Sequence, residues 1–135
     1  MSLHLEIVTP RGSVATLDVE QVILPGLLGE FGVLEGHIPF LSALRPGIVR
    51  YNDESGKPRR MAVGTGFAEV GASEKVLVLT DLHALSEDID ADEVRSELQE
   101  TEAMLKDWTG ELNAEHKELM DTAAWAQARL DVLSD

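Results

Sequence analysis

Gly29-Glu30-Phe31-Gly32-Val33-Leu34-Glu35-Gly36-His37-Ile38-Pro39-Phe40-Leu41-Ser42-Ala43-Leu44-Arg45-Pro46-Gly47 is a hydrophobic run that Gly or Pro interrupts every few residues. Gly opens backbone angles closed to other residues. Pro39 and Pro46 fix φ and remove backbone donors. One long helix is therefore excluded. The run reads as short buried strands joined by tight turns, with Glu30, Phe31, Glu35 and His37 left exposed. An apolar side chain on such a Gly-framed segment is either tucked beneath it or offered to a partner, and the reading here is that it is mostly offered.

Working outward, the dominant period from Leu3 to about Leu82 is two. Leu3, Leu5 and Ile7 alternate with His4 and Glu6, and Thr9-Pro10-Arg11-Gly12 stops the run. Val19 to Pro25 is a second β segment. Ile48 to Tyr51 and Pro58 to Val63 pair around the turn residues Asn52-Asp53-Glu54-Ser55-Gly56. Phe67 to Val70 and Lys75 to Thr80 pair around Gly71-Ala72-Ser73-Glu74. Short strands with a turn signal about every 8–12 residues indicate an all-β sandwich or barrel.

Beyond Leu85 the period changes. Asp90 as N-cap with Glu93 three residues on is a capping box, and acidic residues suit the first turn of a helix. Val94, Leu98, Thr101, Leu105 and Trp108 recur at heptad spacing. After Thr109-Gly110, so do Leu112, His116, Leu119, Ala123, Ala126, Leu130 and Leu133. Two matched stripes across a Gly-containing turn describe an antiparallel αα-hairpin. The expected organisation is a β domain over residues 1–85, a polar linker over 86–89 and a helical hairpin over 90–135. So narrow a seam must lean on the β domain or on a partner. The linker is expected to act as a hinge. Trp125 lies off the seam, and the pattern does not decide between packing on the β domain and marking a partner surface.

Charge follows the same division. Residues 1–85 carry 10 Asp+Glu and 7 Lys+Arg, and residues 86–135 carry 15 and 4, within a formal net charge of −14. Nucleic acid needs a basic footprint and is excluded as a partner. No segment approaches the ~20 apolar residues that span a bilayer, so direct membrane insertion is not expected. The start, Met-Ser-Leu-His-Leu-Glu, does not read as a signal peptide. The absence of Cys removes disulfide, zinc-ribbon and thiol chemistry.

Catalytic motifs are missing. Gly64-Thr65-Gly66 carries Glu69 where a dinucleotide loop needs its third Gly, and strand rather than helix follows. His4, His37, His83 and His116 are not at metal-ligand spacings. The many carboxylates sit on solvated helix faces and make poor general acids. The sequence therefore points to no catalytic residue, no metal and no cofactor. For His37 the ordinary reading is a structural imidazole bonding loop backbone, and the sharper one is a protein contact. Two readings from other classes stand beside an assembly subunit: a free-standing β-sandwich ligand-binding module with a helical lid, and an acidic helical-hairpin adaptor carried on a sandwich. Scarce, dispersed aromatics give neither a pocket signal.

The spacing Gly29-x-x-Gly32-Val33-x-x-Gly36-His37-x-Pro39-x-Leu41-x-x-Leu44-x-Pro46-Gly47 resembles that of the epsilon subunit of the bacterial and chloroplast F-type ATP synthase. Leu3-x-Leu5-x-Ile7-Val8-Thr9-Pro10, Gly66-Phe67-Ala68-Glu69-Val70, Val76-x-Val78-Leu79, Ile89-Asp90 and Ala126-x-Ala128-Arg129-Leu130-x-Val132 extend the resemblance over the chain. It implies an α+β, mainly β fold, a ten-stranded N-terminal β-sandwich followed by a two-helix C-terminal hairpin. It implies a non-catalytic rotor subunit of the central stalk, bound to the gamma subunit and the c ring and conditionally meeting the alpha and beta subunits. Its expected place is peripheral, on the cytoplasmic side of the bacterial inner membrane or the stromal face of a thylakoid. The resemblance puts the docking residues at Glu30, Phe31, Gly32, Val33, Glu35, His37 and Pro39.

Two departures from the family pattern carry consequences. Some members bind ATP through an Ile/Leu-Asp-x-x-Arg-Ala motif and helix arginines. Here Ile89 and Asp90 are followed by Glu93 and Val94 in place of the Arg-Ala pair, and of the expected ATP-binding set only Ile89, Asp90 and Arg129 remain. Inhibition of ATP hydrolysis in the family uses basic C-terminal residues against an acidic stretch of beta. A hairpin this acidic is repelled by such a stretch, so charge-driven inhibition is expected to be weak.

Overall fold

The computed structural model of the chain describes residues 3–134; Met1, Ser2 and Asp135, the ends of the two expected segments, lie outside the described residues. Ten strands come first: β1 (Leu3–Thr9), β2 (Gly12–Val19), β3 (Gln21–Gly26), β4 (Gly29–Leu34), β5 (Phe40–Leu44), β6 (Gly47–Asn52), β7 (Pro58–Val63), β8 (Gly66–Val70), β9 (Lys75–Thr80) and β10 (His83–Ala84). A short 3₁₀ turn at Ser86–Asp88 leads into α1 (Ala91–Lys106) and α2 (Ala114–Ser134). The mainly β fold with a C-terminal pair of helices is the one the sequence implied. Strand β2 is an addition to that reading. It is an edge strand whose residues up to Asp18 are exposed or half-buried, so its alternation is faint.

The strands form one hydrogen-bonded sheet in the order β10-β7-β6-β3-β5-β8-β9-β1-β2, with β4 added on β3. Neighbours are antiparallel except β1 and β9, which run parallel. The sheet doubles over at β3. Val22 and Ile23 pair with Tyr51 and Arg50 of β6, whereas Gly26 pairs with Leu44 of β5. Between the resulting layers lies an aliphatic core in which Leu3, Leu5, Ile7, Val22, Leu24, Val49, Met61, Val63, Val70, Val76 and Val78 come together. Low aromatic content is no handicap, because alternating Val, Ile and Leu pack well between pleated layers.

Gly64-Thr65-Gly66 is a place of close backbone approach and not a phosphate loop. A Cβ on Gly66 would lie 1.9 Å from the Leu79 carbonyl oxygen, and one on Gly64 would lie 2.3 Å from an Asp81 carboxylate oxygen. Gly at these points lets β8 enter its ladder.

Asp90 caps α1, its Oδ1 accepting from the N–H groups of Asp92 and Glu93 at 3.1 and 3.3 Å. Asn113 Oδ1 accepts from His116 N–H at the start of α2. Gly110 takes φ +103 in the connection, a left-handed value that other side chains resist. Val94 and Thr101 are buried where α1 packs on α2, and Ala126 is fully buried on α2. The expected stripe fails at its ends. Leu112 precedes α2 and is 78% exposed, Leu133 is 39% exposed, and Trp108 is half-buried beyond the end of α1. The Trp108 indole instead donates to the Glu111 carbonyl and meets His116 edge-on at 5.3 Å.

Helix α2 has a second face. Ala128 and Val132 join Ile48, Ala62 and Ala84 in a small cluster, with Trp125 and Ile89 against it. The helix therefore lies on β6 and β7 while α1 packs on its far side. Trp125 belongs to this seat.

Candidate functional site

The residues read from the sequence as docking residues lie along β4 and the segment after it, and the structure spreads them out. Glu30 and Glu35 stand at opposite ends of the strand, roughly 16 Å apart at ~3.3 Å per residue. At the first end the β3–β4 turn holds Leu27 and Leu28, which are 63% and 102% exposed. Exposed Glu30 follows, its Oε2 3.7 Å from Arg50 Nε. Glu30, Phe31 and Gly32 thus sit in a strand, not a loop, and Leu27 and Leu28 form the projecting turn.

Phe31 is half-buried. Its ring lies where a Cβ of Gly26 would be, at 2.8 Å, and meets Phe40 edge-on at 5.6 Å. Gly32 is exposed opposite Ile23. Val33 is only 1% exposed and belongs to the core, so as a docking residue it is corrected: alternation points it inward, and it can offer a partner no side-chain surface.

At the other end, Glu35 and Pro39 are exposed. His37 bridges two turns: Nδ1 lies 2.9 Å from the Leu34 carbonyl and Nε2 3.2 Å from the Gly71 carbonyl. Gly36 N–H reaches both Glu74 carboxylate oxygens, at 3.2 and 3.4 Å. Gly36 itself has φ +84. These contacts fasten the β4–β5 connection to the β8–β9 turn, the structural work first read for His37.

The three remaining ATP-motif positions are each engaged in packing or capping. Ile89 packs on the α2 seat. Asp90 is occupied as the helix cap. Arg129 pairs with Glu97 of α1 and sits 5.0 Å over the Trp125 ring. Among the described residues no cluster of His, Asp and Glu could hold a metal ion, and no helix is long and apolar enough to cross a membrane.

A surface that the sequence reading passed over lies outside β5, β8, β9 and β1. Register places Ala43 beside Phe67, Phe67 beside Leu79 and Leu79 beside Val8. These positions alternate with the core residues Leu44, Ala68, Val78 and Ile7, so they point away from it. The row is apolar across four strands, with Leu41 next to it. Leu41, Phe67 and Leu79 are 68%, 52% and 44% exposed. A contiguous apolar surface of this kind marks an interface. The signal was available in the run Val76-Leu77-Val78-Leu79, which is apolar at every position where a half-solvated strand would alternate.

Comparison with known proteins adds to this geometry. The family described as "ATP synthase, Delta/Epsilon chain, beta-sandwich domain" matches residues 2–84. The ATP synthase epsilon chain of Nitratidesulfovibrio vulgaris (strain DP4) is 46% identical over 129 residues, covering 96% of this chain and 88% of the relative. That of Anaeromyxobacter sp. (strain K) is 38% identical over 132 residues, covering 98% of each. A chain in the cryo-EM structure of the Euglena gracilis mitochondrial ATP synthase, described as OSCP/F1/c-ring, superposes with a TM-score of 0.83 at 22% identity, covering 99% of this chain and 82% of that one.

Proposed function

The chain belongs to the ATP synthase delta/epsilon chain family, and from that premise we propose that it is a non-catalytic central-stalk subunit carrying torque between the c ring and gamma. The observation that supports this reading most is the pair of adhesive surfaces on a stiff, aliphatic sandwich. The Leu27-Leu28 turn with Glu30 is the end offered to the c ring. The apolar row of Ala43, Phe67, Leu79 and Val8, with Leu41, is the face offered to gamma. A turn combining exposed leucines and a carboxylate suits an interface rim in contact with polar loops. A broad apolar sheet face suits a permanent partner. The subunit is peripheral to the membrane through the complex, and its side is the cytoplasmic or stromal one. The division into a sandwich and a hairpin hinged at residues 86–89 belongs to the same proposal, as does any restraint of ATP hydrolysis by the hairpin.

Reconstitution separates the two surfaces. Phe67→Glu should abolish co-purification with gamma while the isolated chain keeps its melting temperature. Glu30→Lys should leave gamma binding intact and lower ATP-driven ion pumping. Unchanged gamma binding in the first variant, or unchanged pumping in the second, would place the contact elsewhere. A free-standing ligand module would co-purify with neither gamma nor the c ring.

A further inference from the structure

A groove lies between the two helices beside the hairpin turn. Ala103, Met104, Asp107, Trp108 and Thr109 line it from α1 and the turn that follows, and Leu119 lines it from α2, around a volume of about 540 Å³. Its floor is apolar and open. Met104 is 58% exposed, Ala103 is exposed, and Trp108 and Leu119 are half-buried. The Trp108 N–H is already engaged by the Glu111 carbonyl, so this indole offers a neighbour ring surface. Met104 adds a flexible, polarisable side chain of the kind that adapts to a partner.

Charge on this flank has one sign. Glu100, Met104 and Asp107 follow at i, i+4 and i+7 and so share a helix face, and Glu115 lies one turn before Leu119 on α2. The three carboxylates are exposed, and among the described residues none of them is in an ion pair. The hairpin's four cations do not offset them. Lys106 is two residues from Met104, a step that turns it to another face. Lys117 is matched by Asp121, Arg95 by Asp92, and Arg129 by Glu97. A second copy of this chain would bring an equally acidic hairpin, with 15 carboxylates against four cations over residues 86–135, and like charges repel. An anionic lipid surface and a nucleic acid are disfavoured on the same ground.

We propose that this groove docks a cationic amphipathic helix of another protein. An apolar anchor of that helix enters between Met104, Trp108 and Leu119, while Lys or Arg beside the anchor meets Glu100, Asp107 and Glu115. Helix-in-groove recognition works through apolar anchors on one helix face, and opposite charge at the rim sets orientation and excludes wrong partners. The surface is separate from the c-ring end and from the apolar row, and it does not rest on the rotor reading.

The full chain is titrated with a synthetic amphipathic helix of Leu and Lys alone, about 14 residues or four turns long, followed by methyl and amide NMR. Saturable shifts should centre on the Met104 and Leu119 methyl groups, with a Kd of about 100 μM or below. A scrambled peptide of the same composition, which keeps the charge and loses the apolar face, should bind at least about tenfold more weakly. Glu100→Gln should weaken binding several-fold, whereas Glu102→Gln, the same charge change two residues away on another face, should leave it unchanged. Met104→Lys should abolish the saturable shifts and Met104→Leu should keep them, both with an unchanged melting temperature because Met104 is exposed. Equal losses in Glu100→Gln and Glu102→Gln, or equal binding of the scrambled peptide, would reduce the effect to net charge and overturn the groove. Met104 and Leu119 shifts that grow with the concentration of the chain alone would overturn it in favour of a second copy.

Discussion

Asp53 illustrates how one side chain sets a turn. Its Oδ1 accepts from the Ser55 hydroxyl at 2.6 Å and from the N–H groups of Ser55 and Lys57 at 3.0 and 2.9 Å. Its Oδ2 accepts from Arg59 Nε at 3.1 Å. These bonds favour the carboxylate, the Ser55 hydroxyl most and the Lys57 N–H next, and hold the pKa down at about 2 against a small opposing desolvation. A carboxyl pKa lower in the folded than in the unfolded chain stabilises the fold above the unfolded value of about 3.9. That contribution is lost as pH falls through about 2. NMR should therefore find Asp53 still ionised at pH 3. Amide exchange of the β6–β7 turn should stay slow until pH nears the Asp53 transition. Asp53→Asn should remove that pH dependence, and a turn that already loosens well above the Asp53 transition would contradict the assignment.

Helix α2 shows what an element can and cannot announce. Its heptad stripe was visible and, short of the exposed Leu112 and Leu133 at its ends, it packs toward α1. The other face was not, because Ala124 and Ala128 look neutral in a pattern of large apolar residues. Small side chains are what let a helix lie close on a sheet, and Ala128 is 3% exposed against Ile48 and Ala62. Ala128→Glu should lift α2 from β6 and β7, costing about 2–3 kcal/mol for a carboxylate forced into a dry, close-packed seat. Hydrogen exchange should rise throughout α2, and Trp125 fluorescence should shift to the red. Strand amides should keep their protection, since no helix residue contributes to the sandwich core. Unaltered exchange in α2 would mean that something other than this seat holds the helix. The strands divide in the same way. Clean alternation made β1 legible, and turn chemistry made β6–β7 and β8–β9 legible. Edge strand β2 escaped because one-sided cover leaves little contrast between its faces. Glu30 and His37 looked like neighbours in the sequence, and only the strand between them shows that they serve opposite ends.

At the scale of the whole molecule, two apolar clusters of unequal size meet charge that is unevenly distributed. Among the described residues the sandwich core holds fifteen buried residues and the α2 seat five, so less apolar contact seats the hairpin than holds the sandwich together. The hairpin's electrostatics bear on what it can meet. Residues 86–135 carry 15 acidic groups and only four basic ones. Three of those four are already paired within the hairpin: Arg95 with Asp92, Lys117 with Asp121 and Arg129 with Glu97. An acidic patch on a neighbouring subunit would meet almost no cation that is not already neutralised, and like charges brought together repel. Deleting residues 86–135 exposes Ile48, Ala62 and Ala84 and leaves the main core whole, so the sandwich should still fold and bind gamma. ATP hydrolysis by the reconstituted complex should then change by no more than about twofold, which corresponds to less than about 0.5 kcal/mol in the barrier. A sharp rise in hydrolysis on deletion would show that the hairpin restrains the enzyme by shape or apolar contact, with charge playing no part.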